Sequence, residues 1–238
     1  MSVYPLALVV LAALIHATWN LLAKRAASAG PAFVFVSGVA SGVVYAPWVA
    51  WELSSGAMAW SLPIVACIIV SGALHLVYFL CLQRGYQVAD LSVVYPIARG
   101  SGPLLASIGA FILLGELPTI TGIAGLVAIV TGILLISTDG RLSRFGQPDA
   151  IRGVRWGAAT GGLIASYTVV DGYAVKLLGI PPVVLDWCGI VSRLLMQLPW
   201  LLKNRREAVG RMRGHWWLAL AVGALSPLSY ILVLQALR

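Results

Sequence analysis

Arg99 stands in a run, Leu91–Leu114, whose other members are apolar, small or hydroxylated. A guanidinium there offers a planar fork of donors suited to a carboxylate or a phosphate. Tyr95 lies four residues earlier and so shares its helical face. Pro96, Gly100, Gly102 and Pro103 surround it; such residues weaken or kink a helix and free backbone carbonyls and amides. Two chemistries fit this setting. Arg99 contacts an anionic substrate group or a counter-ion, or it forms a salt bridge that ties two helices.

Arg193 is a second basic residue in an apolar run, with Asp186 two turns before it. That spacing is loose for a pair within one helix. Arg193 is therefore expected to pair across helices or to reach a membrane surface, and Asp186 to sit at the positive end of a helix dipole. His16, Trp19 and Asn20 fall at i, i+3 and i+4, on one helical face; for Asn20 the alternative to a binding role is a hydrogen bond between helices. Asp171 is the one acid well inside an expected helix, placed either to relay a proton or to reach water from the helix end. His75 and Tyr78 lie one turn apart, as do Ser226 and Tyr230. His75 is either a proton carrier or a neutral histidine with one hydrogen bond. Glu116, just before Pro118, is expected to cap or tether a loop.

The elements that hold these groups are set by composition. Of 238 residues 60% are hydrophobic and 10% charged, against about 45–50% apolar and about 25% charged in a soluble domain. Too few polar residues are present to coat a globule, which excludes a soluble enzyme, a disordered tail and a secreted disulfide scaffold. Cys67, Cys81 and Cys188 lie in apolar runs and give neither a disulfide framework nor a metal spacing. The net charge of +8 reads as loop basicity beside a membrane, not as a nucleic-acid surface. No cleavable signal is expected, since Met1–Tyr4 has no basic residue.

Eight segments reach the ~20 residues that cross ~30 Å of hydrocarbon: Val3–Ala23, Pro31–Trp51, Leu62–Gln83, Leu91–Leu114, Thr119–Ser137, Gly153–Val175, Pro182–Leu202 and Trp216–Leu237. Continuous apolar runs exclude a barrel, so the fold class expected is an all-α polytopic membrane protein. The longest polar stretches are Asp139–Arg152 and Lys203–His215. Of the fourteen Lys and Arg other than Arg99 and Arg193, twelve lie in or at the edge of the loops on one side, including Arg141, Arg144 and five between Lys203 and Arg213; the other side has Lys176 and Arg238. The positive-inside rule then places the N-terminus outside the cytoplasm. Most tryptophans fall near span ends, as an interfacial belt requires.

A repeat runs through the chain at a fixed offset. Pro31-Ala32-Phe33 and Gly38 match Pro182-Val183-Val184 and Gly189, and Gly72-Ala73-Leu74 matches Gly223-Ala224-Leu225, each 151 residues apart. With a one-residue slip Pro47-Trp48 matches Pro199-Trp200, and Tyr78 to Gln83 matches Tyr230 to Gln235. The offset carries His16, Trp19 and Asn20 onto Tyr167, Val170 and Asp171, so both copies place polar groups at matched positions. Five helices per copy is an odd number, so the second copy enters from the opposite face, an inverted repeat. Residues 1–138 form the first copy, 139–152 a connecting loop, and 153–238 three helices of the second. Two further helices would complete it beyond Arg238, so the chain is expected to be short of a ten-helix protein. Gly38/Gly42 and Gly153/Gly157/Gly161 are small residues spaced by four, expected to serve helix packing.

Several of these stretches resemble the EamA family of the drug/metabolite transporter superfamily. They are His16-Ala17-Thr18-Trp19-Asn20, Tyr95-Pro96-Ile97-Ala98-Arg99-Gly100, Leu114-Gly115-Glu116 and Ala165-Ser166-Tyr167-Thr168 through Asp171-Gly172. The resemblance implies two five-helix repeats and transport of small metabolites, amino acids or amphiphiles. It also implies both termini in the cytoplasm, which differs from the charge count.

The function expected is a secondary transporter with a midplane site. Arg99, Tyr95, His16, Trp19, Asn20, His75, Tyr78, Tyr167, Asp171, Arg193 and Tyr230 are its pathway candidates. No phosphate-binding loop points to ATP, no cofactor or metal is expected, and no nucleic acid is a partner. No HExxH, no GxSG and no acidic pair on facing helices suggests an enzyme. The partners expected are the lipid bilayer, of a bacterial inner membrane, and a small-molecule substrate. A homo-oligomer or a completing chain is the further possibility, and a membrane protein without independent transport is the alternative function.

Overall fold

A computed structural model describes residues 3–56, 58–113, 119–138 and 148–236. Among them are nine α-helices and no strand: α1 Val3–Arg25, α2 Pro31–Ser54, α3 Leu62–Val88, α4 Leu91–Leu113, α5 Ile120–Thr138, α6 Pro148–Lys176, α7 Pro182–Lys203, α8 Arg205–Met212 and α9 Trp216–Ala236. Glu116 with its Leu114-Gly115-Glu116 element, Arg141, Arg144 and Arg238 lie outside the described residues. The chain is an all-α polytopic membrane protein. Tyr4–Arg25, Pro31–Ser54, Leu62–Val88 and Trp216–Ala236 are long and apolar enough to cross a bilayer. The other long helices have 23 (α4), 19 (α5), 29 (α6) and 22 (α7) residues, near or above the length a crossing needs.

The chain divides into two compact units, Met1–Leu76 with Val170–Arg238, and Val77–Val169. In the first, α2 lies against α7 and α9, and α1 against α9. Its core includes Ile68, Val175, Ile180, Leu185 and Leu234, beside a cluster of Tyr45, Val49, Val184 and Ile231. The outward faces are also apolar: Leu14, Val43, Leu62 and Leu220 are all exposed. In water that pattern would be a large cost; against lipid tails it is the expected outer surface. In the second unit α4 packs on α5.

Two places differ from the sequence expectation. The polar stretch Lys203–His215 is not simply a loop, because it contains α8. Ala208 and Met212, four apart, are buried, and the helix rests on α2 and on the short 3₁₀ turn Ala27–Ala29. Trp19 is not part of an interfacial belt. It is 2% exposed, whereas Trp51, Trp60, Trp216 and Trp217 are exposed near helix ends.

Helix packing in the first unit depends on two close crossings. A Cβ at Gly223 of α9 would come within 2.6 Å of both the Ala40 Cβ and the Ser37 carbonyl oxygen of α2. One at Gly72 of α3 would come within 2.9 Å of Ser192 and 3.0 Å of the Gly189 carbonyl oxygen of α7. Absent side chains let the backbones touch, where dispersion and short polar contacts replace the hydrophobic drive missing in lipid. The Ser41 hydroxyl donates to the Gly223 carbonyl (2.8 Å) and the Tyr45 hydroxyl to the Ala224 carbonyl (2.6 Å), closing the α2–α9 crossing with hydrogen bonds. Overpacking of this kind costs about 1–3 kcal/mol. Gly223→Val is therefore expected to lower the melting temperature of the purified protein measurably. Gly162→Ala, where nothing lies within 4 Å of the added carbon, should leave it unchanged.

Candidate functional site

The pathway candidates gather into three polar clusters within apolar helices. In the second unit Arg99 is the only charged residue of α4. Its Nη2 donates to the Tyr78 hydroxyl of α3 at 3.2 Å, and its guanidinium stacks over the Tyr95 ring, 5.4 Å from the centroid. Tyr78 in turn meets Tyr167 of α6 edge to face, with ring centroids 5.4 Å apart. Tyr167 and Tyr86 both lie within electrostatic range of the guanidinium. The arginine thus contacts the phenols of Tyr78 and Tyr95, with Tyr167 and Tyr86 of the same unit acting on it electrostatically.

Local sequence explains this placement. The glycine face of α6 lies on the α4 residues four apart: Gly153 against Val93, Gly157 against Ile97, and Gly161 against Ser101. A Cβ on Gly157 would lie 3.0 Å from both Ile97 and the Val94 carbonyl oxygen. Helix α4 runs unbroken through Pro96 and Pro103, so the expected kink is not an interruption of the helix. Pro103 still has no N–H to give to the carbonyl four residues back, which belongs to Arg99.

The other two clusters belong to the first unit. In one, Ser229 of α9 is the centre: the Trp19 indole N–H donates to its Oγ at 3.2 Å, and His16 Nδ1 lies 3.3 Å from it. Ser229 Oγ also donates to the Ser226 carbonyl at 2.8 Å. Asn20, 2% exposed, gives its amide to the His16 carbonyl at 2.7 Å, within its own helix. Both the indole and the amide are satisfied, which is what allows them to be buried.

The third cluster joins α3, α6, α7 and α9. Asp171 is 0% exposed, so it does not reach water from the helix end. The Tyr230 hydroxyl donates to its Oδ2, and His75 Nε2 lies 3.8 Å from the same oxygen. Ser71 stands beside the carboxyl, while Oδ1 is buried with no hydrogen-bond partner among the described residues. His75 and Tyr230 rings meet edge to face at 5.1 Å. Arg193 Nη2 lies 3.7 Å from Asp186 Oδ1. The pair expected to be loose within one helix therefore forms, because Asp186 is buried and the long arginine stem, itself only partly exposed, reaches back along α7. Asp171 also lies within electrostatic range of Asp186 and Arg193.

Ser229, Ser71 and Tyr86 were not singled out from sequence. Each had a signal: Ser229 precedes Tyr230 by one residue, Ser71 precedes His75 by one helical turn, and Tyr86 follows Tyr78 at i+8. Among the described residues no group of three or more His, Cys, Asp or Glu could hold a metal ion.

Buried charges and hydrogen-bonded imidazoles inside lipid-facing helices define an integral membrane protein with polar interior sites. The EamA-like transporter family matches residues 4–138, more than half of the chain. The protein belongs to that family, within the drug/metabolite transporter superfamily. No curated protein matches it. The match covers the segment that holds His16, Trp19, Asn20, His75, Tyr78, Tyr95 and Arg99.

A hydrogen bond to a charged group contributes about 1.5–3 kcal/mol, and a buried donor left unpaired costs about 1–3 kcal/mol. Tyr78→Phe, which removes the acceptor for Arg99, and Ser229→Ala, which removes the acceptor for Trp19, are each expected to lower stability by amounts in those ranges. Thermal unfolding in a single detergent checks both. A Ser229→Ala protein that melts with wild type would remove the serine from its central role.

Proposed function

We propose that the protein is a secondary transporter that moves a small metabolite, an amino acid or an amphiphile through a cavity near the bilayer midplane by alternating access. The observation that carries this reading is Arg99. A member of a transporter family holds a half-buried guanidinium against tyrosines in a helix otherwise free of charge. Charge inside a membrane helix is costly, and such residues mark substrate and ion pathways. The guanidinium and the tyrosine hydroxyls together suit a carboxylate or phosphate on an otherwise apolar molecule. Tyr95, Tyr78 and Tyr167 would border that group; His16, Trp19, Asn20, His75, Asp171, Arg193 and Tyr230 complete the proposed pathway set.

The pattern of contacts supports an inverted repeat with copies at 1–138 and 153–238. Gly72 of the first copy packs on Gly189 and Ser192 of the second, and Gly223 of the second packs on Ser41 and neighbouring residues of the first. Residue for residue, Gly72/Gly223 and Ser41/Ser192 are each 151 apart, as are Gly38 and Gly189. The two crossings are therefore counterparts, with the roles of the copies exchanged. Such symmetry makes two packings close in energy, which is what alternating access requires. The proposed location is a bacterial plasma membrane with the N-terminus outside the cytoplasm, an orientation that the one-sided loop basicity supports.

Purified full-length chain in sealed liposomes, assayed with a pool of radiolabelled amino acids and organic anions, is expected to show uptake that saturates and survives without ATP. Arg99→Ala should reduce this flux tenfold or more, since a charged hydrogen bond contributes roughly 2 kcal/mol. Arg99→Lys should retain part of it, because a point charge replaces only part of a bidentate fork. Full flux in both variants would remove Arg99 from the pathway.

A further inference from the structure

We propose that Asp171 and His75 together bind one exchangeable proton, while Arg193 keeps Asp186 ionised beside them. The argument starts from the imidazole. His75 Nδ1 lies 3.0 Å from the Ser71 carbonyl oxygen, which can only accept, so Nδ1 carries the hydrogen. In a neutral ring Nε2 is then an acceptor. It faces Asp171 Oδ2 at 3.8 Å, and an ionised carboxylate is also only an acceptor. Two acceptors held face to face in a buried setting repel unless a proton lies on one of them. Either an imidazolium faces a carboxylate, or a carboxylic acid faces a neutral imidazole.

The charge count leads to the same result. The groups acting on Asp171 come from every element around it: Ser71, Cys67 and His75 of α3, Tyr230 of α9, and Asp186 and Arg193 of α7. Of these Arg193 is the permanent cation, and it lies 3.7 Å from Asp186. Two carboxylates, one guanidinium and a neutral imidazole sum to one negative charge. Taking up one proton from water makes the cluster neutral, and releasing it restores the negative charge. An uncompensated charge among helices in lipid is strongly disfavoured, so the protonated cluster is the resting form. Asp171 is fully buried and its Oδ1 has no hydrogen-bond partner among the described residues. That is a poor setting for a full negative charge and a tolerable one for a shared proton.

Binding of this proton is independent of transport; its use as the coupling ion rests on the transport reading above. The test is an infrared pH titration of full-length protein in lipid nanodiscs, with no substrate and no gradient, between about pH 4 and pH 9. The expected result is one titrating group, in the carboxyl C=O or the imidazole ring bands. It is present in wild type, shifts to lower pH in Asp186→Asn because Arg193 then balances Asp171, and is missing from the Asp171→Asn/His75→Gln double variant. His75→Gln alone should move the midpoint by about one unit or more. Asp171→Glu, which keeps a carboxyl, should titrate and covers the case in which the double variant does not fold. A wild-type signal unchanged in the double variant, or no such titration at all, overturns the proton site. Flux in liposomes separates the two claims. Titration with flux indifferent to a pH gradient overturns the coupling role, and flux without titration overturns the site while leaving transport intact.

Discussion

Close contact at two glycines is the interaction on which the first unit depends. Lipid offers no hydrophobic gain for bringing helices together, because tails solvate a leucine as well as another leucine does. What remains is dispersion over a tightly matched surface and hydrogen bonds that only a close approach permits. Gly223 supplies that approach for α2 and α9, and the Ser41 and Tyr45 hydroxyls then reach the Gly223 and Ala224 carbonyls. Gly72 supplies it for α3 and α7. Once these helices are fixed, α9 presents Ser229 to α1 and Tyr230 to α6, and α7 presents the Asp186–Arg193 pair to the interior.

Polar groups inside such a frame must each be matched, and the three clusters do it differently. Trp19 and Asn20 give their hydrogens to a serine hydroxyl and a carbonyl, and His16 Nδ1 faces the same serine, with no charge involved. Arg99 is held by phenol oxygens and ring faces, partners that stabilise a cation without cancelling it. Asp171, His75, Asp186 and Arg193 form an ionic cluster whose members correct one another. A structural tie needs only the first kind of matching. The second and third leave charge that a ligand or a proton can balance, and this separates packing from chemistry in this protein.

The sequence made the spans and several faces legible because both follow from local rules. Apolar runs of ~20 residues report helices in lipid directly, and i, i+3, i+4 spacing puts His16, Trp19 and Asn20 together before any tertiary contact is known. Arg99 over Tyr95 is likewise a one-turn relation. Less legible were partners chosen by tertiary packing. Ser229 and Ser71 are small hydroxyls whose only local mark is a neighbouring Tyr230 or a His75 one turn on, and their partners are set by tertiary packing. Helix α8 was hidden because its two buried residues, Ala208 and Met212, are a weak apolar signal among arginines. The Asp186–Arg193 pair was discounted on spacing suited to exposed side chains, whereas burial leaves the arginine few other directions in which to place its charge.

The repeat keeps its backbone relations and changes its side chains. At the 151-residue offset His16 corresponds to Tyr167: the imidazole faces a serine hydroxyl, whereas the phenol ring meets Tyr78 edge to face. Asn20 corresponds to Asp171, a neutral amide to an acid. Helix crossings can stay matched because glycine and serine at the contact suffice for both. The ionisable groups have no reason to stay matched, since a protein with two equal proton sites would bind two protons where one balances its charge. In the proposed transporter, symmetry of the backbone would set the two packings close in energy, and asymmetry of Asp171, Asp186 and Arg193 would decide which of them a proton favours.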